Sequence, residues 1–262
     1  MHRSLEVLVL LLLGSVGLTL IAWQLKSIGW SLLVLTTVLL PFCRRDFAKD
    51  IFLICLTLVF LGLTPITTDI SYGHVAVMGL MLFLAVATPY AISRFVFRDH
   101  HIRFRWHHGR RWTRREIVYI AITAIVSYLL LPYYLRSTGA YANWTVEPGA
   151  ANIFRFFLGT NVLGIWDELF FVNTVLATFR RHWRFSVANL AQGVFFTSFL
   201  YELGFSGWGP LMIYPFALIQ GYVWKKTDSL LFVVALHLTY DFVLFLALLH
   251  AHHPDWVPIF LT

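Results

Sequence analysis

The chain has 262 residues, of which 59% are hydrophobic and 13% charged, and its mean hydropathy is +0.73. A water-soluble globular protein needs far more polar surface than this composition provides, which excludes the soluble classes and indicates an integral membrane protein. The formal net charge of +7 is concentrated in a few short segments, a distribution typical of loops that orient a membrane protein.

Nine apolar segments follow one another along the chain, each near the length that crosses about 30 Å of hydrocarbon. We therefore predict an all-α polytopic helix bundle with about eight to nine transmembrane helices. The first segment resembles a signal peptide but shows no small-residue cleavage pattern, so we expect it to remain as a helix. The segments cover approximately residues 5–24, 28–43, 51–68, 73–93, 116–135, 153–179, 186–203, 208–224 and 229–249.

Basic residues fall on one side of these predicted helices. The loop 94–115 contains eight arginines, and because basic loops remain in the cytoplasm, the pattern predicts a cytoplasmic N-terminus. The interleaved aromatic residues of the loop predict contact with anionic lipid headgroups: Phe95, Phe97, Phe104, Trp106 and Trp112. Adjacent histidines lack the spacing of a metal site, so we expect neither a metal nor a nucleic-acid partner there: His100, His101, His107 and His108.

The distribution of acidic residues divides the chain into two parts. The helices predicted within residues 1–115 carry few ionisable groups, whereas three of those within residues 116–262 carry buried acids or a histidine. We therefore expect a single membrane domain in which the N-terminal helices and the basic loop precede a catalytic helix bundle.

The most informative residues are Asp167 and Glu168, which are adjacent in the middle of the apolar segment 153–179. One carboxylate at the centre of a bilayer costs about 3 kcal/mol on insertion scales, so an adjacent pair indicates function. Two neighbouring acids in an apolar site do not both ionise easily, and one could act as a base on water while the other keeps its proton. A structural interpretation is that Asp167 caps the restart of a broken helix.

Further polar residues lie in the later segments. His237 and Asp241 are four residues apart and share one helix face, where a hydrogen bond can fix the imidazole tautomer. Glu202 lies near the outer end of its segment, a position that suits an interfacial carboxylate and a catalytic one equally. Asn173 and Gln192 are predicted to form hydrogen bonds between helices. Carboxylates near a histidine suit water-mediated hydrolysis of an amide.

Taken in order, these residues resemble the motifs of the CPBP family, which comprises the CAAX prenyl endopeptidases and the Abi, or bacteriocin-processing, intramembrane proteases. Residues 167–173 (DELFFVN) are similar to the EExxxRG motif, with Val172 at the arginine position. Residues 198–202 (SFLYE) are similar to FxxxH, with Glu202 at the histidine position. Residues 237–241 (HLTYD) are similar to HxxxN or HxxxD, and the resemblance covers roughly residues 150–250.

The resemblance implies an intramembrane endopeptidase that needs no cofactor and cleaves a membrane-anchored protein or peptide near the lipid boundary. Asp167 or Glu168 would then be the base on water, and we favour Glu168 because aspartate is one methylene shorter. Glu202 would be the partner of this base, while His237 and Asp241 would orient the site or support the oxyanion. The expected location is a bacterial or archaeal plasma membrane.

Three other functions remain open at this point. The missing motif arginine and histidine suit a catalytically inactive scaffold or regulator built on the same fold. Buried carboxylates and histidines also form proton relays, which suits a proton-coupled transporter, although no inverted repeat is evident. Glutamate and histidine can ligate zinc, but the HExxH motif of zinc proteases does not occur.

Overall fold

The computed structural model describes residues 2–106, 109 and 111–261, so the predictions for His107, His108 and Arg110 concern residues outside the described part of the chain. The described residues form nine long helices joined by mostly short loops, and they include no β-strand. The all-α prediction is confirmed.

Several of the nine helices contain a turn that departs from α-helical geometry, and we treat each such helix as one element. They are α1 (His2–Val16, continued by a π-helical turn Gly17–Ala22), α2 (Lys26–Leu39, continued by a 3-10 turn Leu40–Phe42), α3 (Arg45–Leu63), α4 (Tyr72–Ala91, continued by a π-helical turn Ile92–Phe97), α5 (Arg114–Thr138), α6 (Ala150–Asp167, continued by π-helical residues Glu168–Leu176 and by Ala177–Phe179), α7 (Phe185–Glu202), α8 (Gly209–Thr227) and α9 (Leu230–His252).

Five helices of the described chain are long and apolar enough to cross a membrane, namely α1, α4, α5, α6 and α9. Together with the composition, they make this an integral membrane protein. The larger number of eight to nine spans and the cytoplasmic N-terminus stay predictions.

Helix α3 differs most from its predicted position. It covers Arg45–Leu63 rather than residues 51–68, because the polar residues after Arg44 are helical and the chain turns extended at Thr64. Thr64 precedes Pro65, and the ring of a proline disfavours helical geometry in the residue before it. The apolar residues after the proline therefore belong to a loop.

Helices α6 and α9 form the centre of the bundle. In their most apolar stretches, 72% of α6 and 67% of α9 is buried by protein, compared with 28% of α4 and 22% of α5. Helix α9 packs against α5, α6 and α8, and α7 packs against α8 and the π-helical part of α6. Polar side chains on α6 and α9 therefore face other helices, as the cost of exposing them to lipid requires.

A polar network joins α3, the turn after α6 and the start of the basic loop. Arg181 Nη1 donates to Asp50 Oδ1 and to Asp99 Oδ2, both at 2.9 Å, and His182 Nε2 lies 2.6 Å from Asp50 Oδ2. Asp50, Asp99 and His101 are close enough together to hold a metal ion. Because the Arg181 guanidinium already bridges both carboxylates, a cation of the chain itself neutralises them.

We expect Asp99→Asn to lower the free energy of unfolding by about 1–2 kcal/mol at pH 7. Burial raises the pKa of Asp99, but hydrogen bonds from Ser93, His101 and Arg181 outweigh it and hold that pKa below its ordinary value. The stabilisation is therefore complete above the unfolded pKa of about 4 and is lost as the pH falls through the folded pKa. Unfolding midpoints in detergent at pH 7 and pH 3 measure it.

The matched control is Asp255→Asn, which neutralises an exposed aspartate and should leave the midpoint unchanged. An Asp99→Asn deficit of equal size at both pH values would show that charge does not stabilise the network.

Part of the basic loop packs against protein. Leu230 N donates to Arg105 O at 2.9 Å, Leu231 N donates to Trp106 O at 3.1 Å, and Arg105 forms an ion pair with Asp228. Phe104 packs against the hydrophobic core, which corrects its predicted place at the lipid headgroups. Phe95, Trp106 and Trp112 are exposed, with relative exposures of 68%, 44% and 37%.

Candidate active site

The acidic pair lies where α6 changes from α- to π-helical geometry. Asp167 is the last residue of the α-helical part, and Glu168 begins the π-helical stretch. Asn173 Nδ2 donates to Glu168 O at 3.2 Å, and Thr174 Oγ1 donates to Leu169 O at 2.9 Å. Such wider turns are frequent at functional sites.

Two predictions for this region need correction. Helix α6 is continuous, so Asp167 does not cap the restart of a broken helix. Asn173 bonds to a carbonyl of its own helix, where it supports the π-helical stretch, rather than joining two helices. Gln192 does join helices as predicted, because its Nε2 donates to Ala217 O of α8 at 3.0 Å.

The His237 imidazole lies among three carboxyl groups. His237 Nδ1 is 2.8 Å from Glu168 Oε1, while Nε2 is 3.6 Å from Asp167 Oδ2 and 3.7 Å from Asp241 Oδ1. The relative exposures of these four residues are all between 0% and 5%. The structure therefore brings together four of the five residues predicted for the site, and we call Asp167, Glu168, His237 and Asp241 the acid–histidine cluster.

Gln220 on α8 holds the Glu168 carboxyl group in place. Its Nε2 donates to Glu168 Oε1 at 3.0 Å and lies 3.3 Å from Val233 O. Because Glu168 Oε1 accepts from Gln220, it is placed to accept the Nδ1 proton of His237 as well, which leaves Nε2 free to face Asp167 and Asp241. Gln220 escaped the sequence analysis because a buried glutamine usually links helices.

Val172, at the arginine position of the first motif, is fully buried among apolar side chains. The described residues thus give Glu168 an amide donor, Gln220, and the imidazole of His237 as its hydrogen-bond partners. The side-chain donor from α8 to Glu168 is thus a neutral amide, and Val172 provides no cation.

Gly164 allows α9 to approach α6 closely. A Cβ atom at this position would overlap Asp241 Oδ2 and lie 3.0 Å from His237 Cδ2. Gly164 lies about one helical turn before Asp167. Because it has no side chain, His237 and Asp241 of α9 can pack close to α6 beside Asp167.

A cavity of about 390 Å³ leads to one side of the acid–histidine cluster. Asp167, His237 and Asp241 line it, whereas Glu168 is not part of its wall. Asp167 Oδ1 and Asp241 Oδ2 are buried without a hydrogen-bond partner, as is the hydroxyl of Tyr240, which also lines the cavity. Buried polar atoms left unsatisfied are rare, and a reaction centre is one of their few explanations.

Glu202 lies outside this cavity, which corrects its predicted place as partner of the base. It interacts with Gln24 and Lys26 at the connection between α1 and α2. The α7 residue that does line the cavity is Leu200, four positions after Phe196. Residues two apart on a helix point about 200° away from each other. If the FxxxH motif is aligned with residues 196–200 instead of 198–202, its last position is therefore on the opposite face of α7.

A second cavity, of about 500 Å³, lies between α5, α8 and α9. Gln220 and Tyr240 line it, together with mostly apolar side chains such as Leu130 and Met212. None of the acid–histidine cluster reaches its wall, so the chemistry belongs to the smaller cavity.

The residues that form this site also carry a family match. Residues 149–243 match the family model described as Type II CAAX prenyl endopeptidase Rce1-like. No curated protein and no solved structure matches the chain. The matched region contains the whole acid–histidine cluster, together with Gly164, Leu200 and Gln220, so the part of the chain that forms the site is similar to the CAAX prenyl endopeptidases.

Proposed function

We propose that this protein is an intramembrane endopeptidase that hydrolyses a peptide bond of a membrane-anchored protein or peptide near the lipid boundary. The observation that carries the proposal is the His237 imidazole, which has Nδ1 against Glu168 and Nε2 facing two cavity-lining carboxyl groups. A carboxylate that orients an imidazole whose other nitrogen faces a binding cavity is the arrangement that activates a nucleophile in hydrolases.

In this reaction Glu168 holds the Nδ1 proton, and Nε2 of His237 accepts a proton from a water molecule. The water oxygen attacks the carbonyl carbon of the peptide, and the imidazolium then returns the proton to the departing amine. Asp167, which lines the cavity and has a buried Oδ1 without a hydrogen-bond partner, holds the attacking water. Glu168 is therefore a positioning residue rather than the base expected from the motif.

The oxyanion of the tetrahedral intermediate needs a hydrogen-bond donor. Asp241 stands where the HxxxN motif has asparagine, and an ionised carboxylate cannot donate. The adjacent Tyr240 supports this step, since its hydroxyl is buried, unpartnered and in the cavity wall. A donor already fixed in a water-poor site stabilises the developing charge most effectively.

An activity assay with two matched variants tests the proposal. The purified protein, in liposomes, is given N-palmitoylated peptides randomised at eight positions, and the products are identified by mass spectrometry. We expect wild type to cleave a subset of them and Asp167→Asn to cleave at least about tenfold more slowly, because the amide holds water less well than a carboxylate.

Glu202→Gln is the control, because it also neutralises a carboxylate but lies outside the cavity, and it should retain wild-type activity. Equal rates for wild type and Asp167→Asn, or loss of activity in Glu202→Gln, would contradict the assignment.

A catalytically inactive scaffold in the membrane is the second candidate function. It is favoured by Leu200, which brings an apolar side chain into the cavity where the family motif has histidine. This function predicts that a gene encoding Asp167→Asn with Glu168→Gln restores a deletion strain fully, whereas the protease requires that it fail. We assign either function to one membrane domain, formed by helices 1–115 and the bundle 116–262, in a bacterial or archaeal plasma membrane.

A further inference from the structure

Four basic residues lie where α6, α7 and α8 meet. Arg180 directly follows Ala150–Phe179, the apolar helix long enough to cross a membrane, which places this arginine at the level of the lipid headgroups. Arg184 directly precedes α7, and Lys225 and Lys226 are in the last turn of α8. All four are exposed, and we call them the cationic patch: Arg180, Arg184, Lys225 and Lys226.

Aromatic rings hold these cations close together. The Arg180 guanidinium lies 5.7 Å from the centroid of the Phe185 ring and 5.4 Å from that of the Trp224 ring. Lys225 Nζ lies 4.3 Å from the centroid of the same Phe185 ring. A cation that follows α6 and a cation of α8 therefore contact one side chain of α7. The rings attract both cations through their negative faces, but they do not neutralise the positive charge.

No acidic residue neutralises the cationic patch either. Among the residues that the structure describes, no carboxylate lies within ion-pair distance of its four members. Asp228, the acid nearest to them in sequence, forms an ion pair with Arg105, and Asp50 and Asp99 are both bridged by Arg181. Because like charges around one ring repel each other, a bound anion would stabilise the patch.

Apolar side chains continue from the patch towards the middle of the membrane. Leu190 of α7 and Ile219 and Tyr222 of α8 have relative exposures of 48%, 46% and 50%. Since α7 begins and α8 ends at the patch, these side chains lie deeper along their helices than the cations. Lys226 Nζ is 5.5 Å from the centroid of the Tyr222 ring, a pairing typical of the membrane interface. A ligand that matches both parts has an anionic head and apolar chains, as a phospholipid does.

The cationic patch is close to the hydrogen bond that fixes Glu168. Gln220 Nε2 donates to Glu168 Oε1 at 3.0 Å and so joins α8 to α6. At the next residue, Gly221, α8 passes so close to α7 that an added Cβ atom would overlap a side chain of that helix. Lys225 is about one helical turn further on. Repulsion between Arg180 and Lys225 therefore acts on the ends of the two helices that this hydrogen bond joins.

We propose that the cationic patch binds the headgroup of an anionic phospholipid, which bridges Arg180 and Lys225 and keeps the end of α8 against α6. The bound lipid holds Gln220 at Glu168 and accelerates cleavage, so the activity depends on the lipid composition of the membrane. The lipid site itself does not depend on the proteolytic function proposed above, whereas its effect on cleavage rests on that function.

Binding is measured without turnover, as the thermal unfolding midpoint of the purified protein in a non-ionic detergent. Dioleoyl phosphatidylglycerol and dioleoyl phosphatidylcholine are added separately, because they share their acyl chains and differ in headgroup charge. We expect phosphatidylglycerol to raise the midpoint by at least about 3 °C more than phosphatidylcholine does. Sodium chloride at about 1 M should remove this difference, because it screens charges beyond about 3 Å.

Three double variants locate the effect. Arg180→Gln with Lys225→Gln should lose the difference between the lipids, whereas Arg180→Lys with Lys225→Arg should keep it because both charges remain. Arg114→Gln with Arg115→Gln is the matched control, since it removes two exposed arginines from the first turn of α5, outside the patch, and it should also keep the difference. Each midpoint is compared with that of the same variant without lipid, which separates binding from intrinsic stability.

Three results would overturn the lipid site. The first is equal stabilisation by the two lipids, and the second is a difference that persists in Arg180→Gln with Lys225→Gln. The third is an equal loss in the Arg114→Gln, Arg115→Gln control, which would indicate a general attraction to the basic face. Stabilisation by inorganic phosphate or by hexaglutamate that equals the effect of phosphatidylglycerol would assign the patch to a soluble anion or an acidic peptide instead.

Cleavage is measured next, on an N-palmitoylated peptide in liposomes of phosphatidylcholine with or without phosphatidylglycerol. We expect wild type to cleave about fivefold faster with phosphatidylglycerol, and we expect Arg180→Gln with Lys225→Gln to show no such acceleration. Equal wild-type rates in both liposomes would overturn the effect on cleavage. A lipid-dependent midpoint without any cleavage would contradict the protease function and leave the lipid site standing.

Discussion

Replacing His237 by glutamine is expected to lower the rate of peptide cleavage by about a thousandfold. The imidazole contacts Glu168 through Nδ1 and faces Asp167 and Asp241 through Nε2, and glutamine provides neither the proton acceptor nor the same geometry. The measurement is the single-turnover rate on a peptide that the wild-type protein cleaves in liposomes.

Glu168→Gln should reduce the same rate by a similar factor, because Glu168 selects the tautomer of His237. Since the two residues act as one unit, the double variant should be little slower than either single variant. If the two residues acted independently, the rate reductions of the single variants would instead multiply in the double variant.

His250→Gln is the control for this prediction. His250 is also a buried histidine of α9, but it lies thirteen residues further along the helix, a separation of about 20 Å. It should keep near wild-type cleavage. Full activity in His237→Gln would remove the imidazole from the mechanism, and multiplicative effects would contradict its coupling to Glu168.

Gly164→Ala is expected to lower the rate of cleavage by about a hundredfold and the free energy of unfolding by about 1–3 kcal/mol. Its methyl group would overlap Asp241 Oδ2 and crowd the His237 ring, so α9 must move away from α6. A displacement of about 1 Å at a reacting centre can reduce a rate about a hundredfold. Unfolding midpoints in detergent and cleavage rates in liposomes measure both effects.

Gly159→Ala is the control, because it replaces a glycine of the same helix by alanine without changing the packing of α6 against α9. Gly159 lies in the same α-helical part of α6, and a Cβ atom added there meets no atom within 4 Å. Because alanine favours a helix by about 1 kcal/mol over glycine, Gly159→Ala should be neutral or slightly stabilising. Equal behaviour of the two variants would show that the contact between α6 and α9 is not tight.

The sequence already indicated several of the residues that the structure places together. Asp167 and Glu168 were conspicuous because carboxylates in an apolar helix are costly, and His237 with Asp241 because a spacing of four residues, about one helical turn, puts them on the same face. These arguments use only helix periodicity and solvation. Four residues from two of the three motifs were expected to form one cluster, and the structure places their side chains together.

The incorrect or missing predictions concern which residues of a helix face the cavity and which residues hold neighbouring helices together. Glu202 was predicted to be in the site because it is an acid at a motif position. In the structure, Leu200 is the residue of α7 that lines the cavity. The identity of these two residues alone does not show which face of the helix points towards the cavity. Gln220 and Gly164 carry little signal in a sequence, since buried glutamines and helical glycines have many uses.

The sequence by itself determined that the protein is a helical membrane protein with buried acids and a histidine, because hydropathy and helical period are local properties of the chain. The tertiary structure decided which carboxyl group holds the imidazole and which ones face the cavity. Those roles depend on the packing of α6, α8 and α9, where Gly164 sets the distance between helices and Gln220 fixes Glu168. Distances between helices are set by side chains remote in sequence, so only the folded bundle contains them.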